Sequence, residues 1–239
     1  MAAVRDFVVT LWGWSAIAVS TAFFGTLAIL TCWIPPRGRL YLFWGRSWAK
    51  SLLVLTGIPA RIEVSAEAEA LPQAIYMSNH ESGIDILLLF LSIRQNVRFL
   101  AKRELFFVPF MGWSMWLAGF VPVDRKRTEK AKHVLSELDR RLAEGISVLI
   151  FPEGTRSRDG TLGSFKKSGF LTALKSGVPI VPVGVTGARA VLGAQGAVIR
   201  RGPVQIRVGR PIPVKGLGVK DRKALMDEVR REIILLRKV

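Results

Sequence analysis

Two short stretches carry residue types able to do chemistry together. In Ser78-Asn79-His80-Glu81-Ser82-Gly83-Ile84-Asp85 an imidazole precedes a carboxylate by five positions. If this segment leaves a strand and opens a helix, Asp85 falls in the first helical turn. The positive helix end favours an ionised carboxylate there, and the chain can fold back toward the ring. A carboxylate on one ring nitrogen fixes the tautomer and raises basicity, so the other nitrogen can take a proton from a hydroxyl. The same residues admit a plainer account: Asn79 or Ser82 as a helix cap, a surface histidine and an ordinary first-turn aspartate. The second stretch is Phe151-Pro152-Glu153-Gly154-Thr155-Arg156-Ser157-Arg158. Pro152 and Gly154 make a rigid turn that can bring backbone N–H groups toward a ligand, and Arg156 can clamp a phosphate through two parallel hydrogen bonds. Arg158 reads as a solvated surface cation.

The elements that must position these residues alternate between strand-like and helix-like pieces. Residues 74–77, 97–101, 147–151 and 180–185 read as strands, and 85–93, 128–144, 168–175 and 221–238 as helices. The expected class is α/β, a mixed and largely parallel sheet flanked by helices. Both motifs then follow directly on strands, where α/β proteins place reactive groups.

Ahead of this lie two apolar segments. Residues 7–34 contain no charge. As a helix they reach about 42 Å, against a hydrocarbon core of about 30 Å. They end in Trp33-Ile34-Pro35-Pro36 followed by Arg37 and Arg39, unlike the cleavage site of a secretory signal. Residues 40–57 carry Arg46 and Lys50 on one helical stripe and Trp44 and Trp48 on another, the pattern of an interfacial helix with indoles at headgroup level. The division expected is a membrane anchor over 1–58, one helix or two, and a catalytic domain over 59–239. The basic connection after the first helix places that domain on the cytoplasmic face of the cell membrane.

Composition narrows the partners. The chain has 239 residues, half of them hydrophobic, with a mean hydropathy of +0.31 and a net charge of 35 − 18 = +17. Disorder is excluded, and the plausible partners are polyanions: anionic membrane, phosphorylated substrates, acidic carriers or nucleic acid. Nucleic acid fits poorly, because the aromatic residues cluster in apolar stretches instead of alternating with cations. With one cysteine, Cys32, and two histidines, His80 and His133, no metal site is expected and no disulfide can form within the chain.

Asn79-His80-x-x-x-x-Asp85 together with Phe151 to Ser157 resembles the glycerolipid acyltransferase family. Two further blocks fit in order: Lys102-Arg103-Glu104-Leu105 running through Pro109, Gly112 and Gly119 to Val123-Asp124-Arg125, and Val178-Pro179-Ile180-Val181-Pro182-Val183. The resemblance covers about residues 60–210 and implies a glycerol-phosphate acyltransferase-like fold. It implies transfer of a fatty acyl group from acyl-CoA or acyl carrier protein to the free hydroxyl of 1-acylglycerol 3-phosphate, with no cofactor beyond the thioester. Other implied acceptors are glycerol 3-phosphate and lysophospholipids with larger head groups; a noncatalytic membrane adaptor would need no His80–Asp85 pair.

In that family His80 is the base and Asp85 its orienting partner, Arg156 with Lys102 and Arg103 binds the acceptor phosphate, and Glu153, Gly154 and Thr155 shape its pocket. Asn79, Phe151, Pro152, Pro179, Ile180 and Pro182 are then framework positions, with residues 180–183 packing under the acyl donor. An activated thioester needs no enzyme nucleophile, and the N–H groups after His80 are candidates to steady the oxyanion. The sequence has no Gly-x-Ser-x-Gly, and its only cysteine lies in the anchor. The stretch 106–120, with Trp113, Met115 and Trp116, reads first as core and second as the lining of an acyl tunnel.

Overall fold

The computed structural model describes residues 2–34, 38–123, 131–193 and 196–238. In chain order the elements are α1 (Ala2–Thr31), α2 (Arg39–Thr56), β1 (Ala60–Val64), α3 (Ala66–Glu69), β2 (Ile75–Ser78), α4 (Ile84–Ser92), β3 (Val97–Lys102), α5 (Met111–Leu117) and β4 (Val121–Val123). They continue with α6 (Ala131–Ala143), β5 (Ser147–Ile150), α7 (Lys167–Ser176), β6 (Ile180–Thr186), α8 (Ala188–Val191), β7 (Val204–Val208) and α9 (Arg222–Leu236). Asp124 and Arg125 of the family block, and Pro35, Pro36 and Arg37 after the first apolar segment, lie outside the described residues.

The strands form one seven-stranded sheet in the order β1-β7-β6-β2-β5-β3-β4. Every pair is parallel except β6 with β7. The central strands are buried on both faces, so they read as continuous apolar runs without alternation. On β2, Ile75 and Met77 face a core shared with α6, α7 and α9, while Tyr76 faces the core built by α2, α4 and α5. Successive side chains point to opposite sides, so a four-residue strand is enough to join both layers.

α1 and α2 belong to the second of these layers. Ala16, Leu42, Ala49 and Leu52 are buried in the same core as β2, β6 and α4. Gly45 lets α2 approach α4, since a Cβ there would meet the Phe90 ring at 2.7 Å. α1 is fastened along its side: Thr10 Oγ1 accepts from the Ile199 N–H (3.1 Å), Trp14 donates to the Ala197 carbonyl (2.6 Å), and Gly25 lies against the Phe110 backbone.

The expected headgroup tryptophans are placed otherwise. Trp44 donates to Thr31 Oγ1 (2.9 Å) and Trp48 to Thr21 Oγ1 (3.1 Å), so both indoles tie α2 to α1. The exposed indoles are Trp12, Trp14, Trp33, Trp113 and Trp116. Trp113 and Trp116 therefore leave the core expected of them, while Met115 between them is buried. On so short a helix, two residues that far around from Met115 turn away from the sheet.

Candidate active site

Three neighbouring parallel strands end beside one another, and each delivers one part of the site. β2 leads into Asn79 and His80, β5 into the loop beginning at Phe151, and β3 ends at Lys102. The site occupies the carboxyl edge of the sheet, as is general for open α/β sheets.

His80 Nδ1 lies 2.7 Å from Asp85 Oδ2, with both side chains buried. The same carboxylate oxygen accepts the N–H groups of Glu81 (2.8 Å) and Ser82 (2.9 Å). Asp85 thus closes the turn that carries the histidine and holds the ring at once. With Nδ1 committed to the carboxylate, the other nitrogen is the one available to a substrate. The ring stacks on Phe151, with centroids 3.8 Å apart and planes 14° from parallel.

These contacts depart from the plainer account of the motif, since the histidine is buried and not at the surface. Asn79 is no helix cap: its amide donates to the Val185 carbonyl (2.9 Å) and accepts the Val185 N–H (2.7 Å), adding a side-chain rung to the β2–β6 ladder. The N–H groups set aside for an oxyanion are spent on building the loop: those of Glu81 and Ser82 on Asp85, and that of His80 on Glu153 Oε1 (3.0 Å).

Glu153 is a framework residue. Its other oxygen accepts the Gly163 N–H (2.7 Å), and the Ser157 N–H donates to the His80 carbonyl (2.8 Å), so the two motifs are laced to each other. Gly154 has φ +75°, a conformation other residues enter at a cost, and a Cβ there would sit 2.7 Å from Lys166 Nζ. Sequence reasoning missed that lysine, which only the fold brings back to the turn.

His80, Lys102 and Arg156 all line one cavity of about 390 Å³. The rest of its wall is largely apolar, with Thr21, Gly25 and Ala28 from α1, Trp44 and Trp48 from α2, and Met115 from α5. Arg103 and Thr155 are exposed outside that wall. Among the described residues, the 180–183 segment supplies none of the wall either. Ile180 is buried in the core on the opposite sheet face, Val181 and Val183 lie deep in the near core, and the Pro179 carbonyl accepts the Ile75 N–H (2.9 Å). The Trp44 and Trp48 indoles that were expected at headgroups border the cavity instead.

A family model for acyltransferases matches residues 61–186. The chain belongs to the acyltransferase family. Among its relatives, the chloroplastic 1-acyl-sn-glycerol-3-phosphate acyltransferase LPAT1 of Arabidopsis thaliana is 36% identical over 184 residues, 74% of this chain and 50% of that one. The human 1-acyl-sn-glycerol-3-phosphate acyltransferase alpha is 34% identical over 215 residues, covering 89% of this chain and 75% of that one. The chain thus spans about half the length of the plant protein. The crystal structure of the 1-acyl-sn-glycerophosphate acyltransferase PlsC of Thermotoga maritima superposes on this chain with a TM-score of 0.85, at 26% identity, over 99% of this chain and 98% of that one.

One further carboxylate of this chain was not singled out from the sequence. Glu81, beside the base, is buried, and its Oε1 accepts from Arg237 (2.7 Å). Burial pushes Glu81 above the usual carboxylate range, an effect opposed by Arg237 and reinforced by Asp85.

Proposed function

We propose that this protein acylates the free hydroxyl of 1-acylglycerol 3-phosphate, forming phosphatidic acid from an acyl-CoA or acyl-carrier-protein thioester. The observation that carries this reading is one shared cavity onto which His80, held by Asp85, opens with two cations in a largely apolar wall. Arg156 and Lys102 suit the acceptor phosphate, and the apolar wall suits a fatty chain. His80 takes the hydroxyl proton as the oxygen attacks the thioester carbonyl. The C–O bond forms, the C–S bond breaks, and the imidazolium returns its proton to the thiolate. Asp85 balances the ring's positive charge between these steps. The chemistry asks for no group besides the thioester.

The same reading places the protein at a membrane, with the sheet on the cytoplasmic side. α1 contains a span, Val4–Thr31, long and apolar enough to cross a bilayer. Its contacts from Thr10 to Gly25 with loop 197–199 and Phe110 favour a helix lying along the domain, within one leaflet. The exposed Trp33, Phe107, Trp113 and Trp116 offer further apolar surface for lipid. Residues 1–58 then serve as an anchor that is also a wall of the site.

The test is purified protein in mixed micelles, offered lyso-lipids of different head groups and glycerol 3-phosphate, with each donor, and product identified by mass. Phosphatidic acid as the dominant product supports the reading; preference for another acceptor replaces it.

A further inference from the structure

The last helix reaches the active-site edge through two arginines, and nothing in the acyl-transfer chemistry so far uses them. Arg230 on α9 and Arg237, which caps its C-terminus, are seven residues apart, with Ile233 buried between them. Arg230 donates to the carbonyls of Leu162 (2.6 Å) and Gly163, and its guanidinium lies over the Phe165 ring. Gly163 is the residue whose N–H is held by Glu153, which also holds the His80 N–H. Arg237 Nη2 donates both to Glu81 Oε1 (2.7 Å) and to the Gly160 carbonyl (2.6 Å). One nitrogen thereby joins the loop carrying His80 to the segment that follows Arg156.

We infer that Arg237, supported by Arg230, is a positioning residue that sets the register between the His80 base and the phosphate-facing Arg156. The inference rests on the functional reading above, because register between the loops matters when one acceptor is held by both. An acceptor whose phosphate is clamped while its hydroxyl sits out of line loses rate, since displacement by about an ångström costs up to 100-fold. A phosphate-free acceptor can shift to follow the histidine and loses less. An ion pair that only neutralised a buried charge would show no such dependence on the acceptor.

The experiment uses the full chain in mixed micelles, both thioester donors, and two acceptors of equal chain length, 1-acylglycerol 3-phosphate and 1-acylglycerol. Arg237→Met alone strands a buried carboxylate, which is strongly destabilising, so it is paired with Glu81→Gln. The double variant is expected to melt close to wild type and to keep the donor KM within about twofold. Its kcat on the phosphorylated acceptor should fall by about tenfold or more, with a smaller fall on the phosphate-free one. Arg230→Met, which leaves Glu81 paired, should contract the same preference by a smaller factor. If the double variant recovers wild-type kcat and acceptor preference, the pair merely neutralises charge and the inference is overturned. If the wild-type chain shows no preference for the phosphorylated acceptor, the functional reading fails first, and the inference falls with it.

Discussion

With Nδ1 committed to Asp85 and its face covered by Phe151, the His80 ring offers one nitrogen to the cavity. His80→Ala should lower kcat on the order of 10²–10⁴-fold, and Asp85→Asn should lower it within the same range, with His80→Ala leaving the melting temperature nearly unchanged. Near-normal turnover in a folded His80→Ala protein would remove the histidine from the mechanism. Arg156→Ala should raise the acceptor KM about 30- to 1,000-fold with little effect on the donor, the loss of roughly 2–4 kcal/mol from a charge-assisted contact. Arg156→Lys should recover only part, because an ammonium lacks the planar fork. Initial-rate kinetics with each substrate varied separately measure the difference, and equal damage to both would make Arg156 part of the framework. The His80–Asp85 pair was legible because its spacing fits one turn of chain. Glu81 and Arg237 were not, since 156 residues separate them and neither stands out among the chain's 35 cations and 18 acids.

On the proposed function, packing between elements decides how much room the acyl chain has. Gly45 of α2 faces Phe90 of α4, and both line the cavity. Gly45→Ala would push that ring by several tenths of an ångström, at a cost of about 1–3 kcal/mol offset by better helix propensity. The expected outcome is a shift toward shorter acyl donors, read from competition between chain lengths; unchanged selectivity would mean that the ring yields away from the cavity. The strands and helices around the motifs were legible from continuous apolar runs and helical spacing. The outer pair was not read: β1 carries Arg61 and Glu63 on an edge, and β7, where Val204, Ile206 and Val208 are buried, runs against β6. Its pairing is set by partners distant in sequence, such as Glu63 with Arg207 (3.0 Å). The Trp44 and Trp48 stripe was readable as a stripe, yet an indole suits a lipid headgroup and a cavity wall equally well.

At the scale of the molecule, the apolar outer side of α1 and the indoles of α5 should act as one lipid-facing surface. In vesicles with brominated acyl chains, tryptophan emission should be quenched, and Trp113→Ala with Trp116→Ala should relieve part of it. Unaltered quenching in that double variant would restrict lipid contact to the N-terminal helices. Salt should not release the protein, because screening weakens charge attraction and leaves apolar burial intact. The contact between Thr10 and Ile199 has a further meaning in time. Its two ends are 189 residues apart. At 5–20 residues per second, α1 leaves the ribosome about 10–40 s before the loop that will hold it exists. Throughout that interval α2 is the neighbour available to it, the flank that will face residues 197–199 is uncovered, and contacts so distant in sequence are among the slow ones to close. On the proposed membrane reading, such a helix meets lipid before it meets its own domain, and the sheet is assembled against a helix already resting at the bilayer.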